Sequence, residues 1–306
     1  MTTTVALAGG VGAAKFLRGL CQIVSPNNLL IVGNTGDDLE LYGLHISPDL
    51  DIVMYTLAGV IDETKGWGIK DDTFYFIDSL RSLGFETWFR IGDRDLATHV
   101  IRTQLLAERA TLAEVTAQLC GKFGVKAKLT PMTNEKVRTK ILSGDRTINF
   151  QEYFVKNETK DEVKDVFFQG ADNAEPAPGI IEAITQAERI IICPSNPILS
   201  IGPILAIPGI REAIMKRKAE TVAISPIIAG KALKGPADKV LASMGYEASA
   251  RGVAEYYKGF INRLVIDRAD SAQKPELEKL GFEITIADTV MKRIEDSVSL
   301  AKVAAG

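Results

Sequence analysis

Apolar residues come along this chain in short unbroken runs, and each run ends in a turn. TVALA precedes GG, LLIVG precedes NTG, RIII leads into CPSNP, and TVAI leads into SPIIAG. A strand that is apolar at successive positions is covered on both faces, as in a parallel sheet. Between the first two runs lies AAKFLRGLCQIV, with apolar positions at helical spacing. The chain therefore opens as strand, glycine turn, helix, strand, which is a βαβ unit. Helices are predicted for DIVMYTLAGVI (51–61), DTFYFIDSLRSLG (72–84), the stretch after TWFRIGDRD, and TLAEVTAQLCGKFGV. In the last of these, Thr111 and Glu114 make a capping-box pattern. GIIEAITQA and the last 18 residues also read as helix, and RLVIDRAD and FEITIAD as strands. From about 126 to 170 the texture changes, and AKLTPM, VRTKILS, RTINFQEYFV and VKDVFFQG predict a β-rich insertion. No repeat or low-complexity linker breaks the pattern. It predicts one α/β domain over 1–306: a Rossmann-like parallel sheet core, helices on both faces, and an inserted β-rich subdomain.

Composition narrows the class. With 306 residues and 46% hydrophobic content, the chain can bury a large core. Its 36 basic and 39 acidic residues leave a net charge of −3, so neither nucleic acid nor anionic membrane is expected as partner. The three cysteines, Cys21, Cys120 and Cys193, are far apart, which argues against a disulfide framework or a zinc site. That usage suits a reducing compartment. MTTTVALAGGVGAAKF has no basic start followed by a long apolar run, and no stretch nears the ~20 apolar residues of a membrane span. A soluble, cytoplasmic protein is expected.

The chemistry collects where strands end, which is where open parallel sheets bind ligands. In AGGVGAAK, Gly9, Gly10 and Gly12 permit tight turning and open a helix whose first amides can hold a phosphate. The same glycines could merely pack helix on strand, and Lys15 could reach a phosphate or solvent. NTGDD and PDLD place four aspartates, Asp37, Asp38, Asp49 and Asp51, around one strand end. A helix N-cap would account for Asp49 or Asp51. Four carboxylates point rather to a hard cation such as Mg²⁺, which takes carboxylate oxygens and bridges to substrate phosphates. In RIGDRDLATH, Arg94 suits a phosphate, against the alternative of a surface ion-pair cluster at a helix start. His99 and His45 read as packing histidines. CPSNPILSIGP and SPIIAGKALKGPA offer Ser195, Asn196, Ser225 and Lys231 to a nucleotide or diphosphate, or are ordinary crossover turns. No Ser-His-Asp or Cys-His arrangement stands out. The residue types suit phosphoryl-type transfer by positioning, metal and positive charge. A dinucleotide oxidoreductase is disfavoured, because SPNNLLIVGN lacks the acidic residue expected ~20 positions after the glycine loop.

GGVGAAKFLRGL, NTGDDLELYGLHISPDLDIVMYTLAG, WGIKDDTF, GDRDLATHVIR, NFQEYF, PSNPILSIGPIL, SPIIAGKALKGPA and GVAEYY follow in order over nearly the whole chain. Together they closely resemble the 2-phospho-L-lactate transferase (CofD) family. A related family of sugar-metabolism regulators shares the glycine loop, and a nucleotide- or sugar-nucleotide-binding regulator is the alternative. The CofD resemblance implies a Mg²⁺-dependent step in coenzyme F-420 biosynthesis. The ribityl hydroxyl of the deazaflavin Fo attacks a guanosine-diphospho acid, and GMP leaves. The acid is lactate or enolpyruvate, and GGVGAA and GDRDLATH have the flavour of bacterial members, which favours enolpyruvate. By the same resemblance, Asp37, Asp49 and Asp51 are the metal candidates. Asp51, Asp37 and Arg94 are the catalytic ones, and Asp51 and Arg90 would contact Fo. Gly9, Gly10, Gly12, Lys15, Ser195, Asn196, Ser225 and Lys231 would hold the guanosine diphosphate. Trp67 and Trp88 stack on the deazaflavin or pack in the core. Asp71 and Asp72 are caps or further ligands. A homodimer is expected.

Overall fold

The computed structural model describes residues 4–306. Its strands, in chain order, are β1 Thr4–Ala8, β2 Leu29–Gly33, β3 Leu39–Leu41, β4 Leu44–Ile46, β5 Lys128–Pro131, β6 Arg138–Ser143, β7 Arg146–Asn149, β8 Asp165–Gln169, β9 Arg189–Ile192, β10 Thr221–Ile224, β11 Ile227–Ile228, β12 Lys231–Ala232, β13 Arg263–Asp267 and β14 Glu283–Ala287. Seven of them form one sheet in the order β14-β13-β10-β9-β1-β2-β5. Every pairing in it is parallel. β1, β2 and β10 are buried at each position, which is why their sequences are apolar without alternation.

The two faces carry different helices. Ala6, Ala8 and Ile31 face α1 (Gly10–Leu20), α2 (Pro48–Leu57), a helix over Leu112–Lys122, and the C-terminal helix Ile294–Ala305. Val5, Leu7, Leu30 and Val32 face the other layer, which includes the helices Ile180–Gln186, Ala237–Ser243 and Ala250–Tyr257. The capping box forms as predicted: Thr111 N–H donates to Glu114 Oε2 at 2.8 Å, and Glu114 N–H returns to Thr111 Oγ1 at 3.3 Å. The three cysteines are unpaired. No single helix among the described residues is long and apolar enough to cross a membrane.

Several boundaries differ from expectation: the helices expected over 51–61 and 72–84 span Pro48–Leu57 and Tyr75–Ser82. AKLTPM belongs to the core: β5 pairs in parallel with β2 at the sheet edge. The insertion proper is the antiparallel sheet β7-β6-β8. Its apolar face, with Val137, Ile141, Phe150 and Tyr153, is continuous with the core of the second layer. Neither Asp49 nor Asp51 is the N-cap of α2. Pro48 starts that helix after Ser47, as the fixed φ of proline favours, and both aspartates lie in its first turn. The C-terminal helix starts at Ile294 rather than near 289, because Asp296 accepts the Lys292 and Arg293 amides and stops it there.

Gly19 is the point of closest approach between α1 and the C-terminal helix. A Cβ there would overlap the backbone of Ser297. Gly19→Ala is expected to lower stability by about 1–3 kcal/mol through overpacking. The urea midpoint should fall with no change in m-value.

Candidate active site

The sheet order reverses at β1. The chain goes from β1 to β2 and then β5 on one side, and to β9, β10, β13 and β14 on the other. A crevice therefore opens at the carboxyl ends of β1 and β9, the place where such sheets bind ligands. It is a cleft of about 1030 Å³. Gly9 ends β1 and has no side chain with which to cap α1, and its N–H points to Ser195 Oγ at 3.4 Å. Gly10 has φ +74°, and a Cβ on Gly12 would overlap the Pro194 carbonyl. The loop is thus held close to the turn after β9, with the start of α1 facing the cleft.

The four aspartates divide into two pairs with different work. Asp38 is structural: its Oδ2 accepts Ser47 Oγ–H at 2.8 Å and lies 3.0 Å from His45 Nε2, fastening the β3–β4 hairpin to the start of α2. Asp51 is tied up by Arg102, which is only 1% exposed. Arg102 spans both carboxylate oxygens, with Nη1 on Oδ2 at 3.0 Å and Nη2 on Oδ1. Burial raises the Asp51 pKa, and Arg102 and His99 pull it back.

Asp37 and Asp49 are the other pair, and both line the cleft. Asp49 Oδ2 accepts the Asn34 amide at 2.9 Å, and Asn34 Oδ1 accepts Gly36 N–H at 2.8 Å. Burial pushes Asp49 up to about 6, with Asn34 and the Gly10 amide offsetting part of this. Asp37 is raised well above the carboxylate range, by burial first and Asp49 next. Its Oδ1 is buried without a partner. A buried carboxylate pair with an orphaned oxygen lacks positive charge, and a hard cation bridging to phosphates would supply it.

The mouth of the cleft is aromatic and cationic. Arg90 lies over the Phe74 ring at 4.1 Å, and Lys65 lies 5.7 Å from Trp67 and 5.3 Å from Phe74. Phe150 and Phe154 stack at 5.4 Å from the side of the insertion. Lys65, Trp67, Trp88, Arg90, Phe150 and Phe154 all line the cavity.

A family model, 2-phospho-L-lactate transferase CofD, matches residues 4–295. The chain belongs to this family. Among similar proteins, a phosphoenolpyruvate transferase of Kitasatospora aureofaciens is 43% identical over 98% of this chain and 96% of its own. A 2-phospho-L-lactate transferase of Methanosarcina mazei is 40% identical over 98% of each. A solved UPF0052-family protein of Bacillus halodurans shares the fold, with a TM-score of 0.66 at 17% identity, covering 100% of this chain and 99% of that one.

The cleft of this CofD-family chain gathers most of the residues singled out from sequence. Gly9, Gly10, Gly12, Lys15, Asp37, Asp49, Asp51, Arg90, Ser195, Asn196 and Ser225 line it. Two do not. Arg94, in the first turn of the helix Asp93–Ala107, donates from Nη1 to the Lys70 carbonyl at 2.9 Å. Lys231 sits in the β11–β12 hairpin, outside the lining, and Lys234 three residues on occupies the cleft instead. The GDRD turn is also a helix-capping device. Asp72 accepts the Arg94 and Asp95 amides at 2.8 and 3.0 Å, and Asp93 accepts those of Tyr75 and Phe76 at 3.0 and 2.9 Å. Asp51 is not free for a metal, since Arg102 occupies both of its oxygens.

The largest omission is the face of Asp95, His99 and Arg102, at helical spacing on Asp93–Ala107. His99 is 2% exposed and stands between Asp95 at 3.4 Å and Asp51 at 3.7 Å. Burial pushes Asp95 up, but His99, Tyr55 and Arg102 outweigh it and hold the carboxylate low. Removing Arg102 would strand Asp51 as an unpaired buried charge. Arg102→Met is expected to cost about 3–5 kcal/mol, and Asp51→Leu in the same chain should recover most of it. Chemical denaturation of the two variants checks this.

Proposed function

We propose that this protein moves a phospho-acid, 2-phospholactate or phosphoenolpyruvate, from its guanosine-diphosphate-activated form to the ribityl hydroxyl of the deazaflavin Fo, releasing GMP in coenzyme F-420 biosynthesis. The observation that carries this is the buried Asp37–Asp49 pair, with Asp37 Oδ1 unpartnered, beside an open glycine loop. A protein that only held a nucleotide would have no need of it. Family membership and the names of the relatives support the same activity.

The start of α1, Lys15 and Ser195 hold the donor diphosphate, with Lys234 adding charge at the cleft mouth. Trp67, Trp88 and the stacked Phe150–Phe154 pair suit a flat ring system, and Arg90 suits its polar edge. The Fo hydroxyl oxygen forms a bond to the phosphorus bearing the acid. The bond from that phosphorus to the bridging oxygen breaks, and GMP departs with the oxygen. The hydroxyl proton passes to a carboxylate of the Asp37–Asp49 pair. Mg²⁺, held by Asp37 and Asp49, would neutralise charge developing on the diphosphate. Asp51, locked by Arg102, fixes the first turn of α2 and so the place of Asp49.

Incubation with Fo and the activated phospho-acid should release GMP only with Mg²⁺ present, and EDTA should stop it. Asp37→Asn should lower kcat at least about 100-fold, the scale of losing one transition-state charge contact, with an unchanged circular dichroism spectrum. A wild-type protein that binds GDP but releases no GMP would instead place the chain with nucleotide-binding regulators.

A further inference from the structure

The insertion does more than wall the cleft. It holds the loop that carries Asp37 at several points. Thr139, on β6, donates its N–H to the Gly36 carbonyl at 2.7 Å. Gln151 Nε2 donates to the Asp37 carbonyl at 3.3 Å. Lys136 Nζ pairs with Glu40 at 2.6 Å, and Arg138 stands 3.9 Å from the same carboxylate. The approach is so close that a Cβ on Gly36 would lie 2.6 Å from Thr139 Oγ1 and 2.8 Å from Pro203.

Thr139 is 1% exposed, and its hydroxyl has no hydrogen-bond partner. A buried hydroxyl left unpaired is costly unless something completes it. The group it faces is the Asp37 carboxylate, whose pKa it pulls down against burial and whose Oδ1 is likewise buried and unpaired. β6 alternates buried and half-buried positions, so Thr139 stands on its inner face with Ile141 and Ser143. A valine at that position would match its shape without leaving an orphaned oxygen. Thr139 is therefore suboptimal for packing and apt for holding a carboxylate.

We propose that Thr139 is a positioning residue, through which the inserted sheet fixes the Asp37 carboxylate for a divalent cation and the donor diphosphate. The proposal rests on the transferase function above. Such outer partners of a ligating carboxylate govern metal affinity without touching substrate.

Manganese binding, followed by electron paramagnetic resonance in the presence of GDP, tests it without turnover. Thr139→Val should weaken Mn²⁺ binding about tenfold. Thr139→Ser should restore it to within about twofold of wild type. The urea midpoint of Thr139→Val should equal or exceed that of wild type, because the lost hydroxyl was unpaired. Wild-type affinity in Thr139→Val would overturn the proposal and leave the transferase function standing. So would a Thr139→Ser protein as weak as Thr139→Val. A wild-type protein that binds no Mn²⁺ with GDP present would overturn both the proposal and the cation assignment.

Discussion

Gly9 has no side chain, and three others stand where one would be. A Cβ at this position would lie 2.7 Å from Asp49 Oδ2, 2.8 Å from Ser200 Cβ and 3.2 Å from Asn34 Cβ. The end of β1, the turn after β2, the first turn of α2 and the segment after β9 all meet there. That contact draws an acidic group against the glycine loop that opens α1. The parallel sheet makes the meeting possible, since its strand order reverses at β1 and leaves a crevice beside it.

Carboxylates gathered in one place need distinct partners, and this chain supplies them in three forms. A hydroxyl and an imidazole share Oδ2 of Asp38, whose Oδ1 stays unpartnered, and a guanidinium spans both oxygens of Asp51. Asn34 gives Asp49 one hydrogen bond, and Asp37 keeps one oxygen bare. Asp37 is raised by burial and by the Asp49 carboxylate, and Asp49 by burial and by the Asp38 carboxylate, the condition of buried acids awaiting charge. Asp38 and Asp51 stiffen the frame in which the other two are set.

Most of the sheet was legible because fully buried strands write themselves as apolar runs. β5 was not, since an edge strand is less uniformly covered, and KLTP next to alternating segments reads as part of them. The cleft was legible where backbone need shows in sequence, as in the glycines and the clustered aspartates. It was illegible where a side chain's direction decides. Arg94 and Lys231 have the right charge and the wrong orientation. Arg102 was missed because an arginine in a polar helix reads as solvated. Asp95, His99 and Arg102 at one helical face were the available signal, and it has meaning only once α2 is known to lie opposite with Asp51. Thr139 left no mark at all, because its partner lies about a hundred residues away in sequence.

The central claim is that two of the cleft aspartates hold the frame and two serve the ligand. Urea unfolding of Asp51→Asn and Asp37→Asn, side by side and without ligand, tests it most directly. Asp51→Asn should lose about 3–5 kcal/mol, since it leaves Arg102 buried and unpaired. Asp37→Asn should be as stable as wild type or more so, because it removes a buried charge that nothing in the protein neutralises. An Asp37→Asn protein destabilised as much as Asp51→Asn would make Asp37 a structural residue and contradict the account.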